Sequence, residues 1–259
     1  METVFVLRVC SPDLTSHKGF QWPSTIGAKV SAPDWSDNAE CGNGLHGWLH
    51  GAGDTSVAEH TNNPDAKWLC LEVDEDTIVD LNGKVKFPMA IVRFVGDRKG
   101  AAQWIVDHDP LANPSTVIGH CATAGDGGTA TAGYRGTATA GYGGTATAGA
   151  YGTATAGYGG TATAGEYGTA TAGDGGTATA GDRGTATAGD GGTATAGQYG
   201  TATAGDCGTA TAGNGGEIRI RYIDCGRYRT ALGYVGEAGI LPNVPYRCNE
   251  QGELIECTP

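Results

Sequence analysis

Between Cys121 and Gly216 the chain alternates with a period of two, Thr-Ala-Thr-Ala, broken after every four residues by Gly-x-x-Gly. A period of two puts both threonines on one side of a strand and both alanines on the other. Threonine is β-branched and suits a strand. The Gly-x-x-Gly segment is expected to supply the positive φ angles of a turn. There are twelve consecutive eight-residue units; eleven keep Thr-Ala-Thr-Ala, and the first reads Cys121-Ala122-Thr123-Ala124.

The variable turn positions lengthen the repeat to sixteen residues. Alternate turns read Asp126-Gly127, Tyr142-Gly143, Tyr158-Gly159, Asp174-Gly175, Asp190-Gly191 and Asp206-Cys207. Those between them read Tyr134-Arg135, Ala150-Tyr151, Glu166-Tyr167, Asp182-Arg183, Gln198-Tyr199 and Asn214-Gly215. One edge therefore favours glycine at its second position, and the other carries tyrosine or arginine. An antiparallel meander accommodates this pattern, because Asp-Gly is a good two-residue hairpin turn. It leaves a bare alanine face, however. A flattened solenoid buries the alanines of two opposed strands on each other and is the preferred reading.

In that solenoid one outer face carries two columns of threonine. They comprise Thr129 and Thr131, Thr145 and Thr147, Thr161 and Thr163, Thr177 and Thr179, Thr193 and Thr195, and Thr209 and Thr211. Hydroxyls and methyls at this regular spacing are candidate ligands for ordered water. Tyr134, Tyr151, Tyr167 and Tyr199 fall on one edge, with Tyr151 and Tyr167 in adjacent coils, and are candidates for self-association. The alanine core is thin, so backbone hydrogen bonding between coils must carry much of the stability, and the end coils need covering against edge-to-edge growth.

The flanks are expected to provide that cover. Residues 1–120 read as an α/β domain with strands at 4–10, 67–73, 77–79 and 89–94, a short helix at 101–106 and another helix near 56–60. In residues 217–259, Ile218, Ile220 and Tyr222 alternate with Arg219 and Arg221, as in a strand continuing off the last coil. Turns at Asn243–Pro245 and Asn249–Gly252 separate further short strands, making a small β cap. The predicted fold is mainly β: a solenoid of six coils over residues 121–216, between an N-terminal α/β domain and a C-terminal β cap.

A net charge of −12 argues against nucleic acid, whose phosphates call for clustered lysine and arginine. It argues equally against an anionic membrane surface. No apolar run approaches the ~20 residues that span a bilayer. The opening Met1–Arg8 reads as a strand and not a signal peptide, so a cytoplasmic or virion-associated location is expected. Eight scattered cysteines without a C-x-x-C are expected to be free thiols. His46 and His50, with Cys41 and His60 nearby, have types suited to zinc. Two glycines in His-Gly-Trp-Leu-His-Gly weaken the helix that would align them, so packing roles are expected and no metal or cofactor. No nucleophile triad, P-loop or nucleotide-binding glycine motif is present, and the protein is expected not to be an enzyme.

Units such as Ala140-Gly141-Tyr142-Gly143-Gly144-Thr145-Ala146-Thr147 resemble the A-G-Y-G-S-T-x-T octapeptides of bacterial ice-nucleation proteins. That resemblance implies T-x-T rows that template ice and a tyrosine ladder that mediates association. The second half-coil lacks the family's S-x-L type motif. The pattern Gly19-Phe20-Gln21, Gly27, Cys41 and Gly44-Leu45-His46 is similar to a domain of unknown function in phage and bacterial proteins. Those proteins also share a pattern like Gly239–Tyr246 followed by Gly252-Glu253-Leu254, and the similarity implies a phage or prophage setting. A fainter resemblance links Gly42-x-Gly44-Leu45-His46, Ser56-Val57-Ala58 and Trp68–Val73 to the core of ADP-ribosyltransferases. His46 stands there in place of the aromatic residue, and no catalytic glutamate is evident. The leading expectation is a structural or display protein, with ice or ordered-water binding as the first alternative and a transferase-like N-terminal domain as the second.

Overall fold

The computed structural model describes residues 2–56 and 58–257. The chain divides into two compact units, Met1–His120 and Cys121–Pro259.

The N-terminal unit is β-rich. Its seven-stranded sheet has the order Lys29–Ser31, Met89–Gly96, Lys67–Asp74, Thr3–Cys10, Leu45–Leu49, Val85–Phe87 and Val79–Asp80. Every pairing in it is antiparallel. The central strand Lys67–Asp74 is nearly continuously apolar because it is covered on both faces, with Trp68, Leu69, Cys70 and Leu71 all buried. One cover is the helix Arg98–His108, which turns Ala101, Ala102 and Ile105 inward. Asp97 caps it by accepting a hydrogen bond from the Gly100 amide at 2.7 Å. The opposite core gathers Val6, Trp22, Leu45, Leu71, Phe87 and Val92.

Two of the expected elements differ in the structure, and a further strand is added. The strand predicted at 77–79 is displaced: Glu75–Thr77 is a 3₁₀ turn that Asp74 caps, and pairing begins at Val79. The helix predicted near 56–60 includes Val57, which lies outside the described residues; residues 58–60 are not helical. The segment around His46, given no element from the sequence, forms the strand Leu45–Leu49. A Cβ at Gly47 would lie 2.6 Å from the Leu7 carbonyl oxygen and collide with Val6. That glycine lets two backbones approach; it does not signal a loop.

In the second unit each Thr-Ala-Thr-Ala is a four-residue strand, from Cys121–Ala124 through Thr209–Ala212. Each strand pairs in parallel with the one sixteen residues away, in register, so Thr129 faces Thr145, which faces Thr161. Two sheets result, and their alanines from Ala130 to Ala212 are buried between them, with Ala122 and Ala124 partly buried. The parallel register establishes the solenoid over the meander.

The turns differ from expectation in where their glycines act. Positive φ falls on the second variable position: Gly127, Gly143, Gly159, Gly175, Gly191 and Cys207 on one edge, and Arg135, Tyr151, Tyr167, Arg183, Tyr199 and Gly215 on the other. The flanking glycines serve close stacking instead. A Cβ on Gly157 would sit 2.9 Å from the Gly141 carbonyl carbon, and one on Gly160 would sit 2.8 Å from the Gly144 carbonyl oxygen.

Beyond the last full coil, Glu217–Asp224 continues one sheet in parallel, setting Ile218 and Ile220 opposite Ala202 and Ala204. Each sheet then reverses direction. Arg227–Tyr234 pairs antiparallel with Glu217–Asp224, and Tyr246–Cys248 pairs antiparallel with Thr209–Ala212. Ile218, Ile220, Ile240 and Tyr246 close the end of the alanine core.

Candidate functional site

The threonines named from the sequence come together as two straight columns on one sheet, because in-register parallel pairing repeats each position coil after coil. Columns lie ~6.6 Å apart and coils ~4.8 Å apart, set by strand rise and sheet spacing. None of the twelve threonines is buried. Along the middle coils the first of each pair (Thr161, Thr177, Thr193) is exposed and the second (Thr163, Thr179, Thr195) half-buried between its neighbours. Among the described residues, none of their hydroxyls makes a hydrogen bond to protein. The backbone is already satisfied by the ladder, so the hydroxyls are left free for solvent.

The opposite face differs at both ends. Cys121 replaces its first threonine, and its columns run into Glu217 and Arg219, which form an ion pair at 2.6 Å.

The tyrosine edge is a mixed stack of aromatic rings and guanidinium groups. Tyr151 and Tyr167 stack at 4.8 Å with ring planes 5° apart, and Tyr134 meets Tyr151 edge-on at 5.6 Å. Tyr199 does not touch them directly. Arg183 sits between, 5.7 Å from the Tyr167 ring and 5.5 Å from that of Tyr199. Arg135 covers the other end, 5.1 Å from Tyr151. The two arginines, expected on this edge, thus belong to a ladder whose association candidates were read as tyrosines alone.

Two further features were readable in the sixteen-residue spacing. Tyr142 and Tyr158 stack at 5.3 Å on the glycine edge. Aspartates at the first turn position accept the amide hydrogen of the equivalent residue one coil on, as Asp126 does from Tyr142 and Asp182 from Gln198. Asp190 accepts likewise from Asp206 and also pairs with Arg221. The Arg221 hydrogen bond, followed by that amide, holds the Asp190 carboxyl below its ordinary range.

The histidines of the N-terminal unit do not converge. His50 pairs with Asp109 at 2.8 Å, while the His46 imidazole is pushed down to about 4 by burial and by nearby Lys84, Arg8 and Lys86. No group of three or more metal-binding side chains occurs among the described residues. All eight cysteines are unpaired. No helix among the described residues is long and apolar enough to cross a membrane.

A parallel β-solenoid with threonine faces and one closed end is the class of structure these features define. Over two fifths to half of its length the chain is similar to ice nucleation proteins of bacteria. It is 40% identical over 109 residues to that of Pseudomonas fluorescens, covering 41% of this chain and 9% of the relative. The Xanthomonas campestris pv. translucens protein is 35% identical over 114 residues, or 43% of this chain and 7% of the relative. The Pseudomonas syringae pv. syringae protein is 33% identical over 128 residues, or 48% and 10%. The chain therefore spans a tenth or less of these relatives' length. Residues 4–106 match a domain of unknown function, DUF7666. No solved structure matches the chain. The phage or prophage setting draws no support from these relatives, which are bacterial ice nucleation proteins.

Proposed function

We propose that this protein binds ice or ordered water through the face formed by Thr129 to Thr211. One observation carries the reading: two unbroken, in-register threonine columns whose hydroxyls have no protein partner. The ladder and turns hold the lattice rigid, so little side-chain or backbone freedom is lost when water is ordered upon it. The name of the repeat's relatives supports the same role. Six coils give a face about 24 Å long at ~4.8 Å per coil. No catalytic step belongs to this reading.

The test is thermal hysteresis and droplet freezing temperature of the purified chain, against Thr161→Lys/Thr163→Lys. Wild type should shape or nucleate ice, and the double variant should lose most of that effect while keeping its β circular dichroism. Equal freezing behaviour in the two would overturn the assignment.

Self-association through the tyrosine edge is a second reading, favoured by a specific cost. Tyr151, Tyr167, Tyr199, Arg135 and Arg183 are held at φ between 54° and 57°, where non-glycine residues lose about 1–2 kcal/mol. The other edge mostly avoids that cost with glycine. Sedimentation of Tyr151→Gly/Tyr167→Gly should show a smaller species than wild type; identical sedimentation would remove this role.

A further inference from the structure

We propose that the N-terminal unit carries an anion-binding cavity, in which Arg8 and Lys84 receive the phosphate or carboxylate of a small ligand whose flat apolar part lies against Trp48. The cavity has a volume of about 290 Å³ and adjoins a second of about 420 Å³; both are lined by Arg8 and His46.

Arg8 lies on the strand Thr3–Cys10, between fully buried Leu7 and buried Val9. One of its terminal nitrogens donates to the His46 carbonyl at 3.0 Å, and its guanidinium carbon lies 5.4 Å from the Trp22 ring centroid. Its Nε–H is buried and makes no hydrogen bond to oxygen or nitrogen, the Cys10 thiol being its close neighbour. Among the described residues neither Arg8 nor Lys84 has a carboxylate partner; the polar contact of the Lys84 ammonium is Cys41 Sγ at 3.0 Å. A guanidinium with incompletely satisfied donors is costly to bury, and a bound anion on the Arg8 edge that lines both cavities offers an acceptor in the forked geometry that suits guanidinium.

The surroundings fit the same chemistry. His46, near both cations, is neutral at neutral pH because burial and the charges of Lys84, Arg8 and Lys86 oppose its protonation. Of the acids, Glu59 lines the first cavity and Asp34 the second, and neither pairs with Arg8 or Lys84. Trp48 and Ala58 contribute apolar lining, as in ligand sites where a few polar groups orient a largely apolar contact.

The experiment is calorimetric titration of the full chain with phenyl phosphate, benzoate and neutral benzyl alcohol. Both anions, or phenyl phosphate alone, should bind, and the pattern tells a general anion site from one for phosphoryl groups. Benzyl alcohol should not bind. Lys84→Gln should weaken anion binding by about fivefold or more, and Arg8→Gln should abolish it. Lys29→Gln, exposed and outside both cavities, should leave it unchanged. If Arg8→Gln does not fold, the half-buried Lys84 decides. The proposal fails if neither anion binds, if Lys84→Gln binds like wild type, or if Lys29→Gln weakens binding equally.

Discussion

In the N-terminal unit the sheet is covered by side chains of unlike size, among them Trp22, Trp68, Phe87, Leu69 and Ile105, whereas every buried apolar side chain from Ala130 to Ala212 is a single methyl. Unlike side chains specify register, because a slipped strand would set a tryptophan where a valine belongs. Identical methyls cannot do this: a coil shifted by one repeat meets the same surface. The solenoid takes its register from the fixed sixteen-residue path and from flanking glycines that allow the coils to stack. Its end is specified by the residues that break the pattern, Ile218, Ile220 and Tyr246. The large-residue core concentrates stability in a few contacts, and the repeat spreads it over many equivalent hydrogen bonds.

That contrast is open to direct test. All five tryptophans lie in residues 1–120, and the repeat contains tyrosine but no tryptophan, so fluorescence distinguishes the two units. Trp68→Ala, at a position 2% exposed, should cost about 3–5 kcal/mol. The loss should appear as an earlier tryptophan transition in urea, with the β signal of the repeat retained. Ala162→Leu should cost on the order of 3 kcal/mol, the upper end for overpacking, because the opposed sheets leave space for methyls alone. Here the far-ultraviolet transition should move and the tryptophan transition should not.

Tyr167→Gly should change stability by less than about 1 kcal/mol. Relief of the left-handed backbone, worth about 1–2 kcal/mol, opposes loss of a ring stack worth about 0.5–1.5 kcal/mol. A destabilisation well above 2 kcal/mol in a urea melt would mean that the edge ladder, and not the backbone ladder, holds the coils.

The smallest effect concerns Asp190. Its carboxyl titrates below its unfolded value, so its contribution is present above the unfolded pKa of about 4 and is lost as pH falls through the lower folded value. In Arg221→Gln the Asp190 titration, followed by nuclear magnetic resonance, should move upward. An unmoved titration would show that the Asp206 amide alone sets it.

Much of this molecule was legible from its residues because the repeat states its own periodicity. Alternating threonine and alanine have one burial solution, and two kinds of turn sixteen residues apart imply two unlike edges. The strands around residues 4–10, 67–73 and 89–94 were legible for a similar reason, since long apolar runs must be covered. The strand Leu45–Leu49 was not, because Gly47 reads locally as a breaker and becomes necessary only where it crosses Val6 and Leu7. The arginines of the edge ladder were visible as residues, yet their place between rings depends on side-chain packing between coils.

The sequence by itself determined the coil length, the inward alanines, the outward threonines and the unlike edges, because all four follow from periodicities of two and sixteen. Tertiary structure alone decided three other matters. It put the left-handed angle on the second turn residue and left the flanking glycines to allow stacking. It brought Arg8, His46 and Lys84 to one cavity from distant segments. It ended each sheet with an antiparallel strand. Each depends on which backbones approach within a few ångströms, and that is a property of the assembled fold.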